Sequence, residues 1–245
     1  MCRDLSTVAH QLTSYPIQSV LRLARPVTNK GQSIMIGRFI SGKFRNPTGL
    51  FGRLVGNMMV QGNQVEQGWT VSLLNIQPTD HILEIGFGPG VAIQHAEQQA
   101  VSGHVSGIDY SRTMLQVAQK RNADAIRAGR VDLRHGEVLS LPYANESFDK
   151  VFTIHCIYFW AKPVEALREA RRVLKADGLL AVTIQPKDKW PKNRLPPSDL
   201  FTLYSSDEVV QLLSEAGFSH VSAQAYSQPE KFPGECILGI NNPKS

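Results

Sequence analysis

The 245 residues are enough for one large domain or for one domain with an appendage. With 42% hydrophobic and 19% charged residues, the composition is that of a globular protein, and no apolar run approaches the ~20 residues that a membrane-spanning helix needs. The three cysteines, Cys2, Cys156 and Cys236, form no Cys-x-x-Cys pair and no cluster with histidine, which excludes an obvious metal site or disulfide framework.

Positive charge is concentrated at the N-terminus. Residues 1–60 contain eight basic residues and one acidic residue, a net charge of +7, which leaves −2 of the overall +5 for the rest of the chain. This asymmetry favours an acidic partner, with an anionic membrane surface preferred over nucleic acid because no basic stripe interleaved with aromatic residues is present. A solvated helix face explains the same charges equally well. Sparse cysteines suit a reducing compartment, so we expect a cytoplasmic protein, free or peripheral to a membrane.

The first third of the chain is predicted to be helical or weakly ordered. Residues 1–30 show no period and are interpreted as a weakly ordered basic lead. Residues 31–78 are interpreted as a helical N-terminal extension that covers the acceptor site, with helices from Thr48 and over 61–75, where apolar residues recur at spacings of three and four. Pro78-Thr79-Asp80 then separates this extension from the main domain, residues 79–245.

The main domain alternates short apolar runs with helical patterns. Buried strands are predicted at 81–85, 104–108, 131–134, 150–155 and 179–184, with two further strands near 221–226 and 235–240. Helices are predicted at 91–99, 111–128, 163–174 and 206–216, and Lys175-Ala176-Asp177-Gly178 is interpreted as a helix stop. This alternation predicts an α/β fold with a parallel sheet covered by helices on both faces.

The first predicted strand ends in a glycine-rich loop, Glu84-Ile85-Gly86-Phe87-Gly88-Pro89-Gly90. Glycines let the backbone turn sharply and let a ligand approach closely, and open α/β sheets bind ligands at this edge. A dinucleotide fingerprint requires a small residue where Val91 stands, and Glu84 would repel a pyrophosphate. An acid at this position suits a ligand that carries an ammonium group instead. The G-x-x-x-x-G-K-[ST] pattern of nucleotide triphosphatases is absent.

The second predicted strand ends in Gly107-Ile108-Asp109-Tyr110-Ser111. A carboxylate at the tip of this strand can accept hydrogen bonds from both hydroxyls of a ribose. This feature is shared by binders of NAD and of other adenosine ligands, so it does not separate them. A helix N-cap is the alternative role for Asp109, although Ser111 competes for it.

Four stretches in order resemble the class I methyltransferases that use S-adenosylmethionine (SAM). Glu84-x-Gly86-x-Gly88-x-Gly90 is similar to their first signature and Gly107-Ile108-Asp109 to their second. Leu141-Pro142-Tyr143-x-x-x-Ser147-Phe148-Asp149 resembles the subgroup of ubiquinone and menaquinone biosynthesis, and Arg172-Val173-Leu174-Lys175-x-x-Gly178 its late helix and turn. The resemblance implies a Rossmann-like, doubly wound, mostly parallel seven-stranded sheet and a small-molecule acceptor.

The resemblance also implies roles for individual residues. The methionine part of SAM would lie against Glu84, Gly86, Phe87, Gly88 and Gly90. Asp109 would bind the ribose, with Tyr110 beside the adenine. Glu137 and Val138 would line the adenine edge, where the family often has Asp-Ala and where the longer glutamate is a departure.

Catalysis of methyl transfer is mainly alignment, and a base is needed only if the acceptor loses a proton. His155, after the fourth predicted strand, is the candidate base, and Tyr158 is the reserve. A structural role is the alternative for His155. Two rival functions stay open: an NAD- or nucleotide-sugar-binding enzyme, and a SAM-binding module without turnover. The acceptor, and whether O, N or C is methylated, does not follow from the sequence.

Overall fold

The computed structural model describes residues 64–190, 202–228 and 233–242. The predicted basic lead and the helix expected from Thr48 lie outside these residues. Among the described residues, no helix is both long and apolar enough to cross a membrane. The proposed division at residue 78 stays a prediction.

Seven strands form a single sheet in the order β3-β2-β1-β4-β5-β7-β6. Neighbouring strands pair in parallel from β3 through β5, whereas β7 is antiparallel to both β5 and β6. The strands are β1 (His81–Ile85), β2 (His104–Asp109), β3 (Val131–His135), β4 (Phe148–Ile154), β5 (Leu174–Ile184), β6 (Ser219–Ala225) and β7 (Glu235–Ile240). The predicted α/β fold with a mostly parallel seven-stranded sheet is confirmed.

Helices cover both faces of this sheet. They are α1 (Gln64–Leu73), α2 (Val91–Glu97), α3 (Arg112–Arg121), α4 (Ala123–Arg127), α5 (Pro163–Val173) and α6 (Ser206–Glu215). One buried cluster joins the sheet to α1–α4 through residues such as Leu74 and Ala118, and a second joins it to α5 and α6 through Leu167 and Leu213. Burial on both faces explains why the central strands are continuous apolar runs.

Two predicted boundaries were wrong. The single helix expected over 111–128 is broken at Asn122, whose side-chain amide donates to the carbonyls of Gly90 and Ala118, both at 3.0 Å. The helix before Lys175–Gly178 ends at Val173, as expected, but these four residues belong to β5, which begins at Leu174 and not at Leu179. The strand begins early because Leu174 pairs with Phe148 of β4, and the backbone of Asp177 donates to the Asn241 carbonyl at 2.8 Å.

Candidate functional site

The glycine-rich loop lies between β1 and α2, at the edge of the sheet where the parallel strands end. Gly86, Gly88 and Gly90 all have left-handed backbone angles, with φ of 78°, 51° and 77°. A Cβ on Gly86 would overlap the Cys156 sulfur, and one on Gly90 would lie 2.7 Å from the Ala118 Cβ. A Cβ on Gly88 would meet no described atom within 4 Å. Close packing thus requires Gly86 and Gly90, whereas Gly88 opens onto space where a ligand can lie.

Phe87 and Val91 point away from this space. The Phe87 side chain is buried beneath the loop, and a Cβ on Gly107 would lie only 2.7 Å from its ring. Only the backbone of Phe87 can therefore face a cofactor. Val91 is buried at the start of α2, so the place that a dinucleotide fingerprint reserves for a small residue is filled by a branched side chain.

Glu84 is a buried carboxyl without a complete set of partners. It is 3% exposed, it accepts a hydrogen bond from the Ile93 backbone, and its Oε2 has no hydrogen-bond partner among the described residues. Burial, and next the charge of Asp109, raise the pKa of Glu84 to about 8. A buried carboxylate with an oxygen that lacks a hydrogen-bond partner is the complement of a cation, so the residues present fit the ammonium group of SAM.

Asp109, at the tip of β2, links the glycine-rich loop to the turn before α3. Its Oδ2 accepts a hydrogen bond from the Gly88 backbone at 2.8 Å, and its Oδ1 accepts one from the Ser111 backbone at 2.7 Å. Burial raises the pKa of Asp109 although both backbone donors oppose this. Each oxygen keeps lone pairs for a further donor, as binding a ribose requires. The N-cap of α3 is Ser111, whose hydroxyl accepts from the Met114 backbone, so Asp109 is not needed there.

The ends of β2 and β3 form an aromatic rim beside Asp109. Tyr110 is exposed and its ring lies stacked on His135, with centroids 6.3 Å apart. Val138 is partly buried and Glu137 is exposed after β3. His135 did not emerge from the sequence; its position as the last residue of β3 was the available signal. A planar ring next to Asp109 would have these groups beside it.

His155 and Tyr158 lie beyond the end of β4 in a buried network. His155, the candidate base, is only 8% exposed, with its Nε2 2.8 Å from Glu66 Oε2 and its Nδ1 3.3 Å from the Tyr158 hydroxyl. The Tyr158 hydroxyl donates to the Gln185 carbonyl at 3.1 Å and accepts from the Gln185 backbone N–H at 2.6 Å. Burial first, and then the charge of Glu66, raise the pKa of Tyr158, so it stays a neutral hydroxyl.

The stretch Leu141–Asp149 fastens α5 rather than lining the site. Arg172 on α5 donates to the carbonyls of Leu141 and Tyr143 and pairs with Glu169. The Arg172 guanidinium holds the pKa of Glu169 below its ordinary value. This part of the resemblance therefore reflects the fold and carries no chemistry of transfer.

Comparison with known proteins agrees with the geometry. Residues 83–182 match the family described as "Methyltransferase domain". The Bacillus subtilis protein named uncharacterized methyltransferase YdaC is 32% identical over 135 residues, which are 55% of this chain and 72% of the relative. Demethylmenaquinone methyltransferase of Alkalihalophilus pseudofirmus is 26% identical over 185 residues, which are 64% of this chain and 78% of the relative.

Solved structures share the fold. A SAM-dependent methyltransferase from Aquifex aeolicus superposes with a TM-score of 0.61 at 18% identity, over 82% of this chain and 96% of that one. The relative that is 32% identical over 72% of its own length assigns the family, and the solved structure agrees in fold. The chain belongs to the class I SAM-dependent methyltransferases.

Proposed function

We propose that this methyltransferase acts on a small molecule that binds beyond the carboxyl ends of β4 and β5. The observation that carries the proposal is the enclosure of the polar groups there: His155, Tyr158 and Gln185 are 8%, 3% and 5% exposed. Side chains enclosed in this way can contact a compact acceptor, whereas a protein or nucleic acid presents a broad surface. These groups adjoin the glycine-rich loop, because Cys156 follows His155 and packs its sulfur against Gly86.

The described residues divide the cofactor among them. Glu84 would receive the ammonium group of SAM, Asp109 the ribose hydroxyls, and Tyr110 with Val138 the adenine, with Glu137 at the outer edge. Bound SAM supplies an activated methyl group on a sulfonium. The protein supplies alignment and the exclusion of water, which together account for most of the acceleration expected of such a transfer.

We propose His155 as the group that takes a proton when the acceptor must lose one. Its Nδ1 lies 3.3 Å from the Tyr158 hydroxyl, a longer contact than the 2.8 Å from Nε2 to Glu66, so Nδ1 is the nitrogen that we assign to the acceptor hydroxyl. Tyr158, bonded on both sides to Gln185, would orient the ring and the acceptor rather than remove the proton.

The acceptor is sought by incubating the protein with SAM labelled in its methyl group and pools of small metabolites. Demethylmenaquinone is the first single compound to test, because a relative that is 26% identical is named for it. The proposal is supported if a small molecule becomes labelled by the native protein and this labelling is lost with Asp109→Ala at low SAM concentration. Label found only in protein or nucleic acid would refute it, and SAM binding without transfer to any acceptor would favour a silent binding module.

We also propose that the basic residues within 1–60 bring the enzyme to an anionic membrane surface. The support is the net charge of +7 in this segment, which lies outside the described residues for all of its length. Electrostatic attachment predicts a strong dependence on salt.

A further inference from the structure

Helix α1 carries a buried carboxylate where it packs over the sheet. Glu66 is 6% exposed, and a carboxylate withdrawn from water is unfavourable unless it is paired. One turn later, the Thr70 hydroxyl donates to the Glu66 carbonyl at 2.8 Å and lies 2.7 Å from the Thr183 hydroxyl of β5. Val71 and Leu74, by contrast, are fully buried among apolar residues. The side of α1 that meets the ends of β4 and β5 is therefore polar, whereas the side that carries Val71 is apolar.

His155 is the partner of this carboxylate, 89 residues along the chain. Its Nε2 lies 2.8 Å from Glu66 Oε2, and its ring stacks on Tyr158 with centroids 5.9 Å apart and planes 21° from parallel. Because Tyr158 is itself fixed by Gln185, the imidazole is held by α1, by the turn after β4 and by the end of β5.

The backbone of His155 also depends on these contacts. Its φ of 58° is left-handed, which side chains other than glycine adopt at a cost and keep only where the surroundings impose it. Its backbone N–H donates to the Thr183 carbonyl at 2.9 Å. This backbone angle thus directs the His155 ring towards Glu66. The next residue, Cys156, touches the glycine-rich loop.

We propose that Glu66 is a positioning residue for methyl transfer, which fixes the orientation of His155 and the ring nitrogen that carries its proton. A neutral histidine has one N–H, so a proton on Nε2 donated to Glu66 leaves Nδ1 as the basic nitrogen. The inference rests on the proposed function, because it gives the acceptor-facing role to Nδ1. It adds Glu66, a carboxylate outside the glycine-rich loop, to the residues that prepare the reaction.

The test uses Glu66→Met, which removes the acceptor but keeps the length of the side chain, and Glu66→Gln, which removes only the charge. Glu165→Gln is the matched control, since Glu165 is an exposed glutamate on α5 paired with Lys162. Histidine ring nitrogens are read by NMR on the full-length protein labelled with ¹⁵N-histidine, at a pH of about 8 where an ordinary histidine is neutral. His155→Asn identifies the His155 signals.

The inference predicts one tautomer of His155, protonated on Nε2, in the native protein and in Glu165→Gln. It predicts a mixture of tautomers in Glu66→Met. With an acceptor in hand, kcat should fall about tenfold or more in both Glu66 variants while the KM for SAM stays unchanged, because part of the contribution of a positioned base is lost.

An unchanged tautomer in a Glu66→Met protein that still binds SAM would overturn the inference, as would a native protein with Nδ1 protonated. If Glu66→Met does not fold, an unchanged kcat in Glu66→Gln overturns it instead. The spectrum needs no acceptor, so a failed acceptor search counts against the proposed function, and the tautomer counts for or against the role of Glu66.

Discussion

The buried Glu84 carboxyl should make SAM binding depend on pH. Burial and the neighbouring Asp109 raise its pKa to about 8, so at pH 7 only about one molecule in ten carries it ionised, and ionising it costs about 1.4 kcal/mol. The ammonium of SAM favours the ionised form, so binding should expel the proton. Affinity should therefore rise nearly tenfold between pH 6 and pH 7 and more slowly towards pH 8.

Stability without ligand should show the opposite trend. The pKa of Glu84 is raised from 4.5 in the unfolded chain to about 8 in the folded one, so the folded chain holds a proton that the unfolded chain releases. The contribution of Glu84 to the free energy of unfolding is then fully present below pH 4.5 and is lost as pH rises to about 8. Saturating SAM should remove most of this dependence.

Calorimetric titration with SAM measures both effects when it is repeated at several pH values between 6 and 7.5 in two buffers of different ionisation enthalpy. Native protein and Glu165→Gln should release close to one proton on binding, and Glu84→Gln should bind with a flat pH profile. An affinity that does not change with pH in the native protein, or an equal slope in Glu84→Gln, would refute the assignment of Glu84 to the ammonium group.

Three substitutions and one binding assay test the roles of the remaining residues. His155→Asn should lower turnover about a hundredfold or more with SAM affinity nearly intact, and full activity of this variant in steady-state kinetics would contradict this. Gly88→Val should abolish SAM binding in calorimetry, because the side chain would fill the open space of the loop, and retained SAM affinity would count against this role. Gly90→Ala should lower the free energy of unfolding by about 1–3 kcal/mol through its clash with Ala118, and unchanged stability would count against this one. Liposomes with anionic lipid should sediment the protein at low salt and release it at high salt, and the absence of binding at low salt would exclude a membrane role for residues 1–60.

Local sequence patterns predicted the elements well and their ends less well. The strand at Glu235–Ile240 was predicted with its observed bounds, because a short apolar run is bounded by polar residues. The break at Asn122 was not predicted, because its cause is a hydrogen bond to Gly90, 32 residues away. The N-terminal extension of β5 likewise depends on pairing with Phe148 of β4 and on a hydrogen bond to Asn241, which no local pattern encodes.

Most of the proposed cofactor residues lie in one short segment, the glycine-rich loop, and at the tip of the next strand. The sequence could indicate them because residues so close along the chain are also close in the structure. Glu66 and His135 were missed for the converse reason. Glu66 lay within a predicted helix of which only the apolar positions were considered, and its partner His155 is far away in sequence. The sequence also did not reveal that Phe87 and Gly90 serve packing, because a glycine required by a neighbour and a glycine required by a ligand look the same in one chain.

The central claim is that the glycine-rich loop after β1 and the tip of β2 together bind SAM. Calorimetry of the native protein with SAM and with NAD, repeated on Asp109→Ala, tests it most directly. We predict micromolar affinity for SAM, none measurable for NAD, and a loss of about 2 kcal/mol or more for SAM in Asp109→Ala, since charge-assisted hydrogen bonds to both ribose hydroxyls disappear. Tighter binding of NAD than of SAM, or an unchanged SAM affinity in Asp109→Ala, would contradict it.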